Sequence, residues 1–245
     1  MSLLKKVILK LIPKKVKTLV VENELNDNGK SFEYSSMSYA QEGEDLLLNR
    51  FLKNKQKGFY VDIGAHHPKR FSNTYYFYKK GWKGINIDAK PQSMVAFQQE
   101  RPRDTNLEIG ISEKRGELMY YMFNEPALNT FSESEALKKD GLRNFKVIEK
   151  LKIQTYPLVE ILDKYVAIDQ KIDFMTIDVE GLDMEVVASN DWEKYRPEII
   201  LVEDLQRYKL LELPNKSPLS KMLVDCEYEF VARSFNTMFF KNNRS

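Results

Sequence analysis

Residues 58–64 read Gly-Phe-Tyr-Val-Asp-Ile-Gly, and this stretch decides the fold class. The run is short, apolar and rich in aromatic and β-branched side chains, and it ends with Asp62 and Gly64. Such a run is typical of a buried parallel strand that ends in a loop. Residues 84–88 (GINID) repeat the pattern and end with Asp88. The chain therefore begins its core with two buried strands, each of which closes on an acid.

Strands and helices alternate along most of the chain that follows. Further strands are predicted at 107–112, 173–178 and 198–203, with extended segments at 117–123 and 148–156. Helices are predicted at 39–52, 73–80, 91–100, 158–165 and 182–188, and a closing hairpin at 228–232 and 237–240. This alternation predicts an α/β fold with a doubly wound, mostly parallel sheet and a C-terminal antiparallel hairpin.

Composition excludes several classes of protein. The 245 residues suffice for one α/β domain with a full core. The net charge of +2 provides no general field to hold a polyanion, so we do not expect a nucleic-acid partner. The single cysteine, Cys226, excludes an internal disulfide framework and a multi-cysteine zinc site. A reducing compartment is compatible with this, and we expect a cytoplasmic location.

The N-terminal segment, residues 1–37, is predicted to be a basic helix and a linker that precede a domain over 38–245. Within residues 1–21, lysines interrupt the apolar residues, so no run approaches the roughly 20 apolar residues that a membrane span needs. No signal-peptide core or cleavage site is apparent. Two interpretations stay open: peripheral contact with an anionic membrane, or a helix packed on protein with its lysines solvated.

The candidate ligand-binding residues stand at the ends of the predicted strands. Ligands of doubly wound sheets bind at the carboxyl ends of the strands. A dinucleotide site requires G-x-G-x-x-G after the first strand, but residues 64–69 (GAHHPK) contain one glycine. S-adenosylmethionine (SAM) has no phosphate, so it needs fewer glycines. Asp62 and Gly64 suit its ammonium end, and Asp88 can accept hydrogen bonds from both ribose hydroxyls.

Over residues 38–203, the sequence resembles the FkbM family of SAM-dependent methyltransferases. The matching stretches are 38–46 (SYAQEGEDL), 59–65 (FYVDIGA), 72–74 (SNT), 81–88 (GWKGINID), 129–130 (NT), 177–181 (IDVEG) and 196–203 (RPEIILVE). The family often has Glu where this chain has Asp88. The resemblance implies a seven-stranded, Rossmann-like class I SAM-methyltransferase fold and O-methylation of sugars or of glycosylated natural products. We assign these residues to the cofactor: Gln41, Asp62, Gly64, Asn73, Asp88, Ser112 and Asp178.

Acids at the ends of the fourth and fifth core strands suggest a metal. Asp178, Glu203 and Asp204 offer hard oxygen ligands for Mg²⁺ or Mn²⁺, which would lower the pKa of a bound hydroxyl. This arrangement resembles metal-dependent small-molecule O-methyltransferases. The alternative is that some of these acids cap helices or pair with nearby cations. Candidate general bases are His66, His67 and Glu180.

Residues 124–146 form an insertion that we interpret as a lid over the methyl acceptor. Its cations Lys138, Lys139 and Arg143 either hold the diphosphate of a nucleotide sugar or are solvated. The sequence thus predicts an O-methyltransferase for a hydroxyl of a sugar, nucleotide-activated or glycan-linked, or of a glycosylated natural product. Two alternatives stay open: a methyltransferase of a non-sugar small molecule, and a non-catalytic SAM-fold subunit that binds glycan or protein. The sequence leaves the hydroxyl position and the oligomeric state open.

Overall fold

A seven-stranded sheet forms the centre of the protein. The computed structural model describes residues 35–206 and 208–244, so the predicted helix within residues 1–21 lies outside the described residues. The strands are β1 (Phe59–Ile63), β2 (Lys83–Asp88), β3 (Thr105–Glu108), β4 (Gly110–Ile111), β5 (Gly116–Phe123), β6 (Val147–Tyr156), β7 (Phe174–Ile177), β8 (Ile199–Glu203), β9 (Tyr228–Arg233) and β10 (Thr237–Asn242). The sheet order is β3-β2-β1-β7-β8-β10-β9.

The first five strands of this order are parallel, and β10 runs antiparallel between β8 and β9. The predicted seven-stranded, mostly parallel sheet with a C-terminal antiparallel hairpin is confirmed. Strand order reverses between β1 and β7, which places the carboxyl ends of β1, β2, β7 and β8 around one crevice.

Helices cover both faces of the sheet. They are α1 (Glu44–Phe51), α2 (Tyr75–Lys79), α3 (Ser93–Glu100), α4 (Glu133–Lys139), α5 (Leu158–Tyr165), α6 (Asp183–Ala188), α7 (Leu213–Lys216) and α8 (Pro218–Asp225). On one face Leu48 and Phe77 pack with Tyr60 and Phe174. On the other face α5, α6 and α8 pack against the opposite side chains of β1, β7 and β8. Burial of each large apolar side chain here stabilises the folded state by about 1.5–3 kcal/mol.

Two elements differ from their predicted bounds for local reasons. The helix expected at 39–52 begins only at Glu44, because Gly43 has a left-handed φ of 87°. The strand expected at 107–112 is divided: β3 ends at Glu108 in the main sheet, and β4 joins a second sheet of order β4-β6-β5. At this division a Cβ atom on Gly110 would lie 2.8 Å from Phe131 and Thr155, so β4 packs tightly against β6 and the insertion.

The insertion contains a 3-10 turn (Pro126–Leu128) and α4, and it follows directly from the second sheet. The short helices α7 and α8 fill the connection between β8 and β9, where the sequence analysis predicted no element. Within the part of the chain that the structure describes, no helix is both long and apolar enough to cross a membrane.

Candidate active site

A cavity of about 540 Å³ opens at the carboxyl ends of β1, β2, β7 and β8. Its volume lies in the range of roughly 300–1,000 Å³ that small-molecule sites occupy. We call the wall formed by the ends of β1 and β2 and by Ile109 and Ile111 the cofactor half. The wall formed by the ends of β7 and β8 and by the insertion is the acceptor half. The sheet thus brings residues that are distant in sequence to one cavity.

Gly64 is the residue at which β1 meets the end of β7. Its φ is +83°, and a Cβ atom there would lie 1.7 Å from the carbonyl oxygen of Asp178. Both Gly64 and Ala65 donate their backbone N–H groups to the carbonyl oxygen of Ile87. The glycine is therefore required by the close approach of two strand ends, in addition to any approach of the cofactor.

Asp88 is buried at the end of β2, where two backbone N–H groups hold its carboxylate. His66 N–H donates to Oδ2 and Lys90 N–H donates to Oδ1, both at 2.8 Å. Burial raises the pKa of Asp88, and these two hydrogen bonds oppose the rise. Each oxygen keeps a further lone pair, so the carboxylate can also accept two hydroxyl groups. Its position in the cavity wall suits that role.

The cofactor half fits a cationic nucleoside. Ile87, Ile109 and Ile111 give an apolar wall beside Asp88 for a flat ring. The remaining residues that line this part of the cavity are polar or acidic: Gln41, Glu42, Glu44, Asn73 and Asp178. The Nδ2 group of Asn73 donates to Thr176 on β7 at 3.0 Å, which ties the loop before α2 to the sheet.

Two of the residues predicted to bind the cofactor do not line the cavity. Asp62 points to the opposite side of β1, where it accepts a 2.6 Å hydrogen bond from the hydroxyl of Thr74. Burial raises the pKa of Asp62 to about 6, against the lowering effect of the nearby Arg101 charge. The Ser112 hydroxyl donates to the backbone carbonyl of Lys114 at 2.8 Å. Their side chains therefore hold local structure.

Two further predicted site residues are also engaged elsewhere. Oδ2 of Asp204 accepts from the hydroxyl of Ser217, at 2.6 Å, next to the start of α8. Its Oδ1 accepts from the backbone N–H of Gln206, so each oxygen has one donor from the protein. His67 is exposed, and its Nδ1 accepts from the backbone N–H groups of two following residues. Asp204, predicted as a metal ligand, and His67, predicted as a general base, do not line the cavity, and Asp204 does not belong to the acids that converge there.

Three acids converge in the acceptor half, and we call Asp178, Glu180 and Glu203 the carboxylate group. One oxygen of each lies within 4.8 Å of the others. Glu203 is 9% exposed, and its Oε2 has no hydrogen-bond partner. Burial, followed by repulsion from Asp178 and Glu180, raises the pKa of Glu203 to about 11. Repulsion from the neighbouring acids Glu180 and Asp183 also raises the pKa of Asp178, whose side chain is exposed to the cavity. Such a group favours a proton or a bound cation.

The insertion contributes a cation to this group. Lys139, at the end of α4, donates a hydrogen bond to the Glu180 carboxylate, and the two side chains are 17% and 18% exposed. The Thr130 hydroxyl donates to the backbone carbonyl of Glu180 at 2.7 Å. By contrast, Lys138 is 68% exposed and pairs with Glu135. The sequence contained no signal that separates these adjacent lysines, because each is equally compatible with a solvated helix end.

His66 lines the cavity beside the cofactor half. Burial and the positive charge of Arg70 lower the pKa of His66 to about 4, so its imidazole is neutral at neutral pH. Arg70 donates two hydrogen bonds to Glu125, at 3.0 and 3.2 Å, which join the loop after β1 to the insertion. Sequence reasoning missed this ion pair, because its two members lie far apart in the chain.

Aromatic side chains complete the acceptor half. Tyr120, Phe131 and Phe145 line the cavity, and the rings of Tyr120 and Phe131 lie 4.6 Å apart. Asn129 accepts from the backbone N–H of Phe123 through its Oδ1, while its buried Nδ2 has no partner. The acceptor half therefore combines apolar ring surfaces with unpaired polar atoms, a combination that suits a hydroxylated ligand with apolar faces.

Comparisons with known proteins identify the family of this chain. Residues 62–229 match the model of the methyltransferase FkbM domain. No curated protein sequence matches significantly. A methyltransferase FkbM from Methylobacillus flagellatus KT is 14% identical, with a TM-score of 0.46, over 76% of this chain and 44% of that chain. This chain thus corresponds to less than half the length of that protein.

Two further solved structures are similar at low identity. A TehB-like SAM-dependent methyltransferase from Corynebacterium glutamicum is 8% identical over 91% of this chain and 99% of that one, with a TM-score of 0.40. An O-methyltransferase from Bacillus cereus, in complex with SAH, is 11% identical over 95% of this chain and 93% of that chain, with a TM-score of 0.38. The family match covers more than half of the chain, and we conclude that this protein belongs to the FkbM family of SAM-dependent methyltransferases.

Proposed function

We propose that the protein transfers the methyl group of SAM to a hydroxyl of a sugar or of a glycosylated natural product. The observation that carries this proposal is the carboxylate group, which lies in the same cavity as the cofactor half. SAM supplies an electrophilic methyl group, and a sugar hydroxyl is a weak acid that must lose its proton as it attacks. Residues that remove this proton must therefore lie in the acceptor half.

In the absence of a bound metal ion, Glu180 is the best supported general base. Burial raises its pKa, which makes its carboxylate a stronger proton acceptor, while the ion pair with Lys139 opposes the rise and favours the ionised form. His66 has its pKa lowered to about 4, so it is a weaker base near neutral pH. Glu203 favours its protonated form and can donate a hydrogen bond to an oxygen of the methyl acceptor, or it can lose its proton and bind a cation.

A divalent cation is the second element of the proposal. Asp178, Glu180 and Glu203 would hold Mg²⁺ or Mn²⁺, because three hard carboxylate ligands suit these ions and Oε2 of Glu203 lacks another partner. The ion would supply Lewis acidity that lowers the pKa of a coordinated hydroxyl. Neighbouring hydroxyls on one sugar ring would give such a site two oxygen atoms at once.

The test is a mass measurement on an acceptor panel. The protein is incubated with SAM and with free glycosides, nucleotide sugars, phenols and carboxylic acids, and each is examined for the gain of one CH₂ group. Methylation of sugar hydroxyls supports the proposal. Methylation confined to phenols or carboxylates refutes it. Exhaustive chelation should remove most of the activity and leave SAM affinity unchanged, and full activity after chelation would remove the metal from the proposal.

A further inference from the structure

A buried polar network lies on the side of β1 to which Asp62 points. At its centre is Arg101, which is fully buried although its guanidinium group is charged. The guanidinium group donates to the carboxylate of Asp104, just before β3, and to the hydroxyl of Tyr60 on β1, both at 2.8 Å. A buried charge is costly unless its hydrogen bonds are satisfied, so these partners fix the guanidinium group against the sheet.

The same guanidinium group holds the loop between β1 and α2. It donates to the Thr74 hydroxyl at 2.9 Å and, more distantly, to the Ser72 hydroxyl at 3.4 Å. The Thr74 hydroxyl donates in turn to Asp62 on β1 at 2.6 Å. The Ser72 hydroxyl accepts from the backbone N–H groups of Thr74 and Tyr75, where α2 begins. The residues on both sides of position 73 are therefore anchored to the buried network.

Asn73 is the residue between these two anchors, and its side chain faces the cavity. Its Nδ2 group donates to the hydroxyl oxygen of Thr176 on β7 at 3.0 Å. With Nδ2 directed to Thr176, the amide oxygen Oδ1 is the side-chain atom that can accept a hydrogen bond from a ligand in the cavity. The loop thus presents one polar atom to the cavity while its neighbours are held from behind.

The place of Asn73 relative to the sheet indicates which part of the cofactor it meets. Strand β1 lies between β2 and β7. Asp88, the proposed ribose ligand, ends β2, and Ile109 and Ile111, the proposed wall for the adenine ring, lie further out on that side. Asn73 is bonded to β7, on the other side of β1. A SAM molecule bound in this way directs its amino-acid end toward Asn73, whose Oδ1 can accept from the ammonium group.

We propose that Arg101, Thr74 and Asp62 are positioning residues that fix Asn73 against the amino-acid end of SAM. This inference rests on the SAM-binding part of the proposed function and is independent of the methyl acceptor. Asp62 then acts on the cofactor through Thr74, from the side of β1 that the cofactor does not reach. A network of charged hydrogen bonds suits this role, because it locks the orientation of the residues that it supports.

Calorimetry with two nucleosides tests the inference. SAH, which remains when SAM loses its methyl group, carries the amino-acid end, and methylthioadenosine lacks it. Thr74→Val removes the hydroxyl between Arg101 and Asp62 and keeps the side-chain shape. We expect its dissociation constant for SAH to rise about tenfold, the effect of one lost hydrogen bond to the ligand. Its dissociation constant for methylthioadenosine should equal that of the wild type, and Thr74→Ser, which keeps the hydroxyl, should restore SAH affinity.

Tyr60→Phe is the matched control for a general loosening of the network. It removes another hydroxyl that Arg101 bonds, but one that lies on β1 and not in the loop. We expect this variant to unfold at a lower denaturant concentration than the wild type and to bind SAH with unchanged affinity. An equal loss of SAH affinity in Tyr60→Phe and Thr74→Val would overturn the inference, because the loop contact would then have no special role.

A double variant shows whether the effect passes through Asn73. Asn73→Ala should weaken SAH binding, and in that background Thr74→Val should cause no further loss. Additive losses would overturn the inference, as would wild-type SAH affinity in a folded Thr74→Val protein or an equal loss of affinity for both nucleosides. If Thr74→Val does not fold, Ser72→Ala, which removes the second loop hydroxyl bonded by Arg101, replaces it in each comparison.

These outcomes are separate from a failure of the proposed function. Each of them leaves methyl transfer from SAM by the wild type intact. A wild-type protein that binds neither SAM nor SAH would instead refute the proposed function, and this inference with it.

Discussion

Lys139 at the end of α4 forms an ion pair with Glu180 on the loop after β7, so the insertion contacts the carboxylate group directly. The Thr130 hydroxyl adds a second contact, to the Glu180 backbone carbonyl. The insertion therefore does more than cover the acceptor half. It supplies a positive charge at the place proposed for a divalent cation, and the charges of Lys139 and of the metal must compete for the same carboxylates.

Removal of this internal cation should strengthen metal binding. In Lys139→Met, we expect the Mn²⁺ dissociation constant to fall about tenfold, on the order of 1.4 kcal/mol, because the metal no longer competes with the ammonium group. Calorimetric or electron paramagnetic resonance titration measures this. Lys138→Met is the control, since Lys138 pairs with Glu135 on the surface. If the wild type binds no Mn²⁺, the metal proposal fails; if it binds Mn²⁺ and Lys139→Met leaves the affinity unchanged, the competition does not exist.

Loss of the acid at the end of β2 should weaken cofactor binding. Asp88→Ala removes the proposed acceptor of the ribose hydroxyls, and we expect SAM affinity to fall by about 1.5–3 kcal/mol. Isothermal calorimetry gives the affinity, and circular dichroism checks the fold. Glu108→Ala, an exposed acid at the end of β3, should bind SAM as the wild type does. A folded Asp88→Ala protein with wild-type affinity would disprove the assignment.

The carboxylate group should make the metal-free protein less stable at higher pH. A carboxyl group whose folded pKa is raised holds its proton more tightly in the folded state, so stability is greatest below its unfolded pKa of about 4.3 and declines as pH rises toward the folded value. For Glu203 that value is about 11. Thermal unfolding in chelator should therefore find Glu203→Gln more stable than the wild type at pH 8, by roughly 1–3 kcal/mol, and nearly equal to it at pH 4. Parallel pH dependences of the two proteins would contradict the pKa shift.

The close approach of β1 and β7 should tolerate no side chain at Gly64. Gly64→Ala places a Cβ atom against the Asp178 carbonyl at a left-handed φ, so we expect a loss of more than about 3 kcal/mol of stability or failure to fold. Gly116→Ala is the matched control, because a Cβ atom there meets nothing within 4 Å. Denaturant unfolding compares the two variants, and equal midpoints would show that the strand ends can separate without cost.

The general base can be identified from the pH dependence of kcat. Because the His66 pKa lies near 4, its titration cannot produce a rate limb near neutral pH. We expect His66→Ala and His67→Ala to keep the wild-type shape of the pH–rate profile, and Glu180→Gln to lower kcat by about 100-fold or more. If the limb of the pH–rate profile near neutral pH disappears in His66→Ala alone, then His66 is the general base and Glu180 is not.

Local patterns in the sequence predict the sheet. Apolar strands alternate with helices, and acids stand at the strand ends. Both patterns involve residues that are close together in the chain. The FkbM motifs, the strands near β1, β2, β7 and β8, and the helices α5 and α6 could all be predicted in this way. Asp88, Asp178 and Glu203 were predicted to lie together, since the carboxyl ends of parallel strands meet at one edge of the sheet, and all three line the cavity.

Which neighbour of each pair faces the cavity was decided only by tertiary structure. Glu203 lines the cavity while Asp204 supports α8, and Lys139 turns inward while Lys138 stays in solvent. Successive side chains of a strand point to opposite faces, and those of a helix point about 100° apart. Two neighbouring residues can therefore face entirely different surroundings. Glu180 also has a left-handed φ of 55°, and its carbonyl accepts a hydrogen bond from Thr130 of the distant insertion. Sequence thus fixed the residue types at the edge of the sheet, and packing between distant segments selected the ones that form the site.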